Sequence, residues 1–315
     1  MSSPQVPQQP ASGVRTPRRA DRMDPFALAG FGDLELIVRG IVEGFLIGLH
    51  RSPHRGFSVE FAENRPYNAG DDVRFVDWKM YARSDRHYIK QYEEETNLRA
   101  YVLLDASGSM DWTSSPQTLV SKIGYAKLLA GSVAALLVRQ GDAVGFLSFD
   151  SRIREHVPVR GSRPHLRRLL GTLEGVTASG ETSADMAIQD VALRLRRRGL
   201  VVLASDLLVD PTATLRALRY LRHRGHEVLV FHVLDPAEID LPSAGEALFV
   251  DPESGRELRT NSGALRRRYR ESVARALADW RAACLRMGAE YALVSTREPL
   301  GLVLGRFLQK RSRLG

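Results

Sequence analysis

Tyr101 to Trp112 reads YVLLDASGSMDW, and this stretch decides the fold class. Strand-forming residues run without interruption into a carboxylate, Asp105, and then into two hydroxyls at alternate positions, Ser107 and Ser109. The strand, LRAYVLLD, starts at Leu98. A helical pattern follows from about Leu119 to Arg139, with Ile123, Ala126, Leu129, Ala130, Val133 and Leu137 on its buried side and Gly141 closing it. Strand, polar turn and helix in that order open a doubly wound α/β fold.

Further along the chain the alternation repeats. AVGFLSF from Ala143 and REHVPV from Arg154 read as strands, followed by a helix starting near Pro164 and another from Ala184 to Arg197. GLVVLASD from Gly199 is a fully apolar strand that again ends in a carboxylate, Asp206. A helix from Thr212 to Arg224 leads to EVLVFHVLD; after an irregular stretch, an arginine-rich helix from Ala264 to Met287 leads to the last strand, AEYALVS. This pattern predicts a mostly parallel sheet flanked by helices over residues 98–315. Before it, residues 1–25, rich in Pro, Ser, Gln and Arg, read as a disordered tail without the apolar stretch of a signal peptide. Residues 26–97 read as an N-terminal helix and a small β extension, with short strands at FSVEFA and HYIKQYE.

Composition narrows the function classes. The 43% hydrophobic and 26% charged fractions are those of an ordinary soluble protein, and a single cysteine, Cys284, excludes a disulfide framework or a cysteine-rich zinc site. A reducing cytoplasm fits best. The net charge of +8 is carried by arginines scattered over several helices; without one aromatic-laced basic patch or a recognisable RNA-binding module, no nucleic-acid partner is expected. LELIVRGIVEGFLIGLH from Leu34 is interrupted by Glu35, Arg39 and Glu43, so it is too polar to span a bilayer. Its Leu34, Val38, Ile41, Phe45 and Leu49 describe an amphipathic helix that packs on protein, a place on a membrane surface being the alternative. Cys284, near Leu277, Trp280 and Met287 on its helix, is expected to be a small buried hydrophobe.

In an open α/β sheet functional groups gather beyond the carboxyl ends of the strands, where Asp105 and Asp206 stand. Three chemistries suit Asp-x-Ser-x-Ser there. A serine nucleophile needs a base, yet no Gly-x-Ser-x-Gly elbow surrounds Ser107 or Ser109, and His156, His165, His223 and His226 lie away from strand ends. His232, inside a strand, reads as a core residue or one supporting a ligand. A phosphate cradle would need a glycine-rich loop with lysine, and a leading aspartate repels anions. Oxygen donors converging from alternate positions suit a hard divalent cation. A plain polar turn, with Ser109 as helix cap, is the structural alternative.

LLDASGSM, followed by GET at Gly180–Thr182 and LASD at Leu203–Asp206, resembles the von Willebrand factor type A domain with its metal-ion-dependent adhesion site (MIDAS). The resemblance implies a Rossmann-like sheet and a Mg²⁺ or Mn²⁺ ion held by Asp105, Ser107, Ser109, Thr182 and Asp206; Glu181 departs from the small residue usual there. RPYNAGDDVRFVDWKMYAR, from Arg65 to Arg83, resembles the signature of the bacterial family called domain of unknown function 58, DUF58. That family joins the signature to a von Willebrand type A-like domain and commonly accompanies MoxR-type AAA+ ATPases. Read on its residues alone, the signature is a packed extension, with Trp78 and Tyr67 as anchors and Arg65, Arg74 and Arg83 paired with Asp71, Asp72 and Asp77.

The expected function is therefore metal-dependent protein binding, not catalysis. An acidic residue of a partner protein completes the metal's coordination, and a MoxR-type AAA+ ATPase is the partner the resemblance implies. The alternative is a metal-assisted hydrolase on the same residues, with Asp185 or Glu181 as general base.

Overall fold

The computed structural model describes residues 24–30, 32–50, 64–66, 81, 88–90, 98–180, 184–195, 197–241, 246–250 and 257–311. The expected tail up to residue 23, FSVEFA and nearly all of the Arg65–Arg83 signature lie outside these. Helix α1 (Pro25–Ala29) starts where the tail was expected to end, with the Asp24 carboxylate accepting from Phe26 N. Helix α2 (Leu34–His50) follows, and β1 (Asn64–Pro66) pairs with β2 (Tyr88–Lys90), the latter inside HYIKQYE.

The main sheet contains β3 (Arg99–Asp105), β4 (Ala143–Phe149), β5 (Ile153–Arg160), β6 (Leu200–Ser205), β7 (Glu227–Leu234) and β10 (Glu290–Ser295), in the order β10-β7-β6-β3-β4-β5. All neighbours are parallel except the edge pair β4 and β5. β5 tolerates Pro158 because an edge strand can spare a ladder donor. Strand order reverses about β3: the chain runs first to β4 on one side and later to β6 on the other. The loop leaving β3 therefore stands at the switch point, where the strands' carboxyl ends leave a crevice.

Helices cover both faces, as the uninterrupted apolar strands require. On one face α3 (Lys122–Arg139), α4 (Arg163–Glu174), α9 (Leu300–Arg311) and α2 enclose Val102, Leu104, Phe146 and Phe231. On the other, α5 (Ala184–Arg194), α6 (Pro211–His223) and α8 (Ser262–Arg286) enclose Leu103, Leu147, Leu203 and Val230. Each fully buried leucine contributes roughly 1.5–3 kcal/mol, so the alternate faces of β3 tie both layers together. Gly131 of α3 lets its neighbours close in, since a Cβ there would lie 2.8 Å from Val38 Cγ2 and 3.0 Å from Leu170 Cδ2. The amphipathic reading of α2 resolves here as packing on protein: Val38, Ile41 and Phe45 are buried in this core.

The expected α/β class and its doubly wound, mostly parallel sheet are present, with two additions. The stretch after β7, read as irregular, contains α7 (Pro236–Ile239) and the hairpin of β8 (Glu246–Val250) and β9 (Glu257–Asn261). Asp235 caps α7 in a reciprocal capping box with Glu238. Helix α9 also went unforeseen. Helix α3 starts three residues later than expected because Ser121 accepts from Gly124 N as its N-cap.

Gly199 enters β6 where a Cβ would stand 2.1 Å from the Arg99 carbonyl oxygen. Gly199→Ala must push β6 away from β3, and we expect it to lower unfolding free energy by about 1–3 kcal/mol in a denaturant titration. An unchanged midpoint would mean that the two strands part without cost.

Candidate metal centre

Parallel pairing carries four strand ends to one edge, and each leads into an aspartate: Asp105, Asp150, Asp206 and Asp235, all at most 1% exposed. Beyond Asp105 the chain turns back on its own carboxylate, because Asp105 Oδ1 accepts from Ser107 N at 3.0 Å. The turn directs both serine side chains inward. Ser107 Oγ and Ser109 Oγ stand 3.1 Å apart, each in a buried residue. Asp105 Oδ2 accepts from Ser205 Oγ at 2.6 Å, and Ser205 Oγ in turn accepts from Leu207 N at 2.9 Å.

The second loop is stitched onto the first. Ser179 N donates to Ala106 O at 2.8 Å and Gly108 N donates to Gly180 O at 3.0 Å. Gly108 serves this approach, since a Cβ would come within 3.2 Å of Gly180 O. Thr182 and Glu181 lie outside the described residues, two residues or fewer beyond that stitch; Asp185 falls in the first turn of α5.

Asp206 is held from three directions. Oδ2 accepts from Lys122 Nζ at 2.7 Å and Oδ1 from Leu208 N at 3.2 Å, while the backbone oxygen lies 2.7 Å from His232 Nε2. The other His232 nitrogen meets Tyr291 OH at 2.7 Å. Burial lowers the His232 pKa to about 4, which keeps the ring neutral as a positioning residue. Leu207 takes a left-handed backbone (φ 51°), a sparsely populated conformation for a branched residue, and so turns the chain sharply after Asp206.

Lys122 also reaches Glu238 Oε1 at 2.5 Å, and Glu238 Oε2 accepts from Asp235 N at 2.8 Å. Burial alone would pull the lysine down, but the Asp206 and Glu238 carboxylates outweigh it and raise its pKa, so the ammonium stays charged. Burial, then the neighbouring Asp206 charge, pushes Asp105 up to about 6. Two buried or largely buried carboxylates thus share one ammonium, and a third, Asp105, lies beside Asp206 with no cation of its own among the described residues.

Among the described residues no group of three or more His, Cys, Asp or Glu could by itself hold a metal. The donor set instead pairs two hydroxyls with two carboxylates. Those are hard oxygen donors, and the excess negative charge leaves a deficit that a small divalent cation would fill, so the residues fit such an ion. Of the expected ligands, Asp105, Ser107 and Ser109 stand in one hydrogen-bonded turn, and Asp105 feels the charge of the neighbouring Asp206. Sequence reasoning missed Ser205, Lys122, Asp235 and Glu238. Asp235 carried a readable signal, for it ends EVLVFHVLD as Asp206 ends GLVVLASD; Lys122 opens a helix and gave no sign of aiming inward.

Residues 63–279 match the family described as Protein of unknown function DUF58. The chain is 34% identical over 240 residues to Uncharacterized protein Rv1480 of Mycobacterium tuberculosis, covering 75% of this chain and 74% of that protein. Uncharacterized protein Mb1516 of Mycobacterium bovis matches to the same extent. Similar solved structures include the conserved hypothetical protein BatB from Bacteroides thetaiotaomicron, at 17% identity and TM-score 0.46, covering 69% of this chain and 99% of that one. Another is the SpRpn10 VWA domain, at 10% identity and TM-score 0.41, covering 67% and 95%.

Because the folded pKa of Asp105 lies above its unfolded value, the fold holds a proton between about pH 4 and 6 that the unfolded chain releases. That contribution is full below pH 4 and lost as pH rises through 6. Asp105→Asn removes the charge, keeps an acceptor for Ser107 N and turns an amide N–H toward Ser205 Oγ, which must then accept where it now donates; it should be more stable than wild type at pH 7 in EDTA by on the order of 2 kcal/mol, the gap closing below pH 4. Denaturant titrations across that range check this, and a gap independent of pH would contradict it.

Proposed function

The chain belongs to the DUF58 family, and on that premise we propose that it is an adaptor whose binding to a partner protein depends on a divalent metal. The observation that carries this reading is the Ser107–Ser109 hydroxyl pair set beside the buried carboxylates of Asp105 and Asp206 at the switch point of the sheet. Ser107 and Ser109 would hold Mg²⁺ or Mn²⁺ directly. Asp105 and Asp206 would balance its charge directly or through water, and Thr182 is the remaining expected ligand. When bound, the ion supplies a Lewis-acidic position that a carboxylate of a partner protein can fill. The partner we propose is a MoxR-type AAA+ ATPase, in chaperone-like maturation or assembly, the pairing implied by the sequence resemblance.

The surroundings support binding over turnover. Trp112 and Leu208 are 36% and 56% exposed. Both border the Asp206–Lys122 pair: Lys122 Nζ lies 6.0 Å from the Trp112 ring, and Leu208 N bonds Asp206. Exposed large apolar residues beside a polar centre are what a protein contact uses. The carboxylates described here are engaged as well. Asp235 accepts from Ser114 N and Ser114 Oγ, and Glu238 holds Lys122 and Asp235 N, so both are committed to holding the centre together; the hydrolase alternative rests on Asp185 or Glu181 as its base. Among the described residues no helix is long and apolar enough to cross a membrane; we propose a cytoplasmic setting.

Affinity capture from native bacterial lysate, in Mg²⁺ and again in EDTA, tests the proposal. Ser109→Ala is the variant of choice, because Asp206→Ala would strip Lys122 of a buried partner and endanger the fold. An AAA+ ATPase retained by wild type in Mg²⁺, and lost in EDTA and in Ser109→Ala, is the expected result. Trp112→Ala should weaken retention at least tenfold while leaving metal binding unchanged. Retention indifferent to both metal and Ser109 would sink the adaptor reading, and metal-dependent hydrolysis abolished by Ser109→Ala would favour the hydrolase.

A further inference from the structure

Among the described residues Lys122 is the only lysine or arginine that is buried, at 1% exposure. Its ammonium is desolvated yet charged, and it does not simply neutralise one carboxylate. It is shared between Asp206 Oδ2 at 2.7 Å and Glu238 Oε1 at 2.5 Å. Helix α3 fixes where it sits, because Lys122 is the first residue after the Ser121 cap and its backbone N donates to Trp112 O at 3.2 Å. Glu238 is fixed too: its second oxygen accepts from Asp235 N, and its backbone oxygen accepts from Tyr269 OH at 2.9 Å. A permanent positive charge is thereby built against the carboxylate that the divalent ion would draw on.

We infer that Lys122 is a resident cation that determines how tightly this centre takes a divalent ion, with Glu238 setting how much of its charge reaches Asp206. The inference rests on the divalent-cation reading above and extends it to two residues outside the ligand set. Ammonium and metal repel each other across a buried carboxylate, where little solvent screens them. Lys122 thus keeps the centre charge-balanced enough to fold without metal, at the cost of affinity when metal binds. Glu238 draws the ammonium partly away from Asp206 and so acts in the opposite sense.

The two residues therefore make opposite predictions. Lys122→Met keeps the apolar stem and removes the charge; it should bind Mn²⁺ about tenfold or more tightly than wild type. Glu238→Gln keeps an acceptor for Asp235 N but leaves Lys122 to Asp206 alone; it should bind Mn²⁺ several-fold more weakly, about threefold to tenfold. Mn²⁺ affinity is measured on the full chain by calorimetry and by the Mn²⁺ paramagnetic resonance signal, with melting in EDTA as the folding control. Binding detected only in Lys122→Met also supports the inference. If wild type binds Mn²⁺ and Lys122→Met binds no more tightly, or both variants shift the same way, Lys122 is only a structural ion-pair partner and the inference falls while the metal centre stands. If neither wild type nor Lys122→Met binds, both fall. Should Lys122→Met fail to fold, Glu238→Gln decides alone: weaker binding supports the inference, and unchanged or tighter binding overturns it.

Discussion

Parallel strand pairing is the constraint on which the rest depends. It sends the ends of β3, β4, β6 and β7 to one edge, and the aspartate that follows each strand is buried there. Four carboxylates cannot be removed from water in one place without compensation. Each local feature of the edge answers that demand. Asp150 takes the Arg154 guanidinium and Arg152 N, Asp235 takes Ser114 and the start of α7, Asp105 takes Ser107 N and Ser205, and Asp206 takes Lys122. Asp150 is satisfied by nearby chain and Asp235 by Thr113, Ser114 and the start of α7, so both read as structure. Asp206 shares one ammonium with Glu238, and Asp105 stands between the Asp206 charge and the paired hydroxyls of Ser107 and Ser109.

The same edge is where two loops are held together. A hydrogen-bonded stitch between residues 106–108 and 179–180 needs a glycine at position 108 and a left-handed glycine at position 180. It draws the second loop onto the first although over seventy residues separate them in sequence. Gly180 carries φ +81°, and a Cβ there would stand 3.2 Å from Asp150 Oδ2. The aspartate that takes no part in the candidate centre thus shapes the loop leading to Thr182.

Much of this could be read from sequence because it is written in local signals. Apolar runs broken by aspartate mark the strands of a parallel sheet, and alternating serines after Asp105 predict inward-facing hydroxyls, as Ser107 and Ser109 prove to be. Long-range partners left no such mark. Nothing near Lys122 says that its ammonium meets Asp206 and Glu238, residues 84 and 116 positions away. Likewise Ser205 stands beside Asp206 in sequence yet serves Asp105, because it ends β6 alongside the end of β3. The hairpin of β8 and β9 was missed for another reason: its strands are short and, among the described residues, pair with each other apart from the main sheet. Helix α9 hides in a stretch of leucine and glycine whose buried face, Val303, Leu304, Phe307 and Leu308, is defined by the layer it covers.

The antiparallel edge strand β5 bears on how such a molecule can associate. Its outward chain exposes Arg154, Glu155, Pro158 and Arg160, a run of charge interrupted by a residue with no amide hydrogen. A foreign strand laid along it would meet a missing donor and a row of charged side chains. Self-templated growth of the sheet is blocked on that flank. Recognition is left to side chains and loop ends, which can be gained or lost without opening the sheet itself.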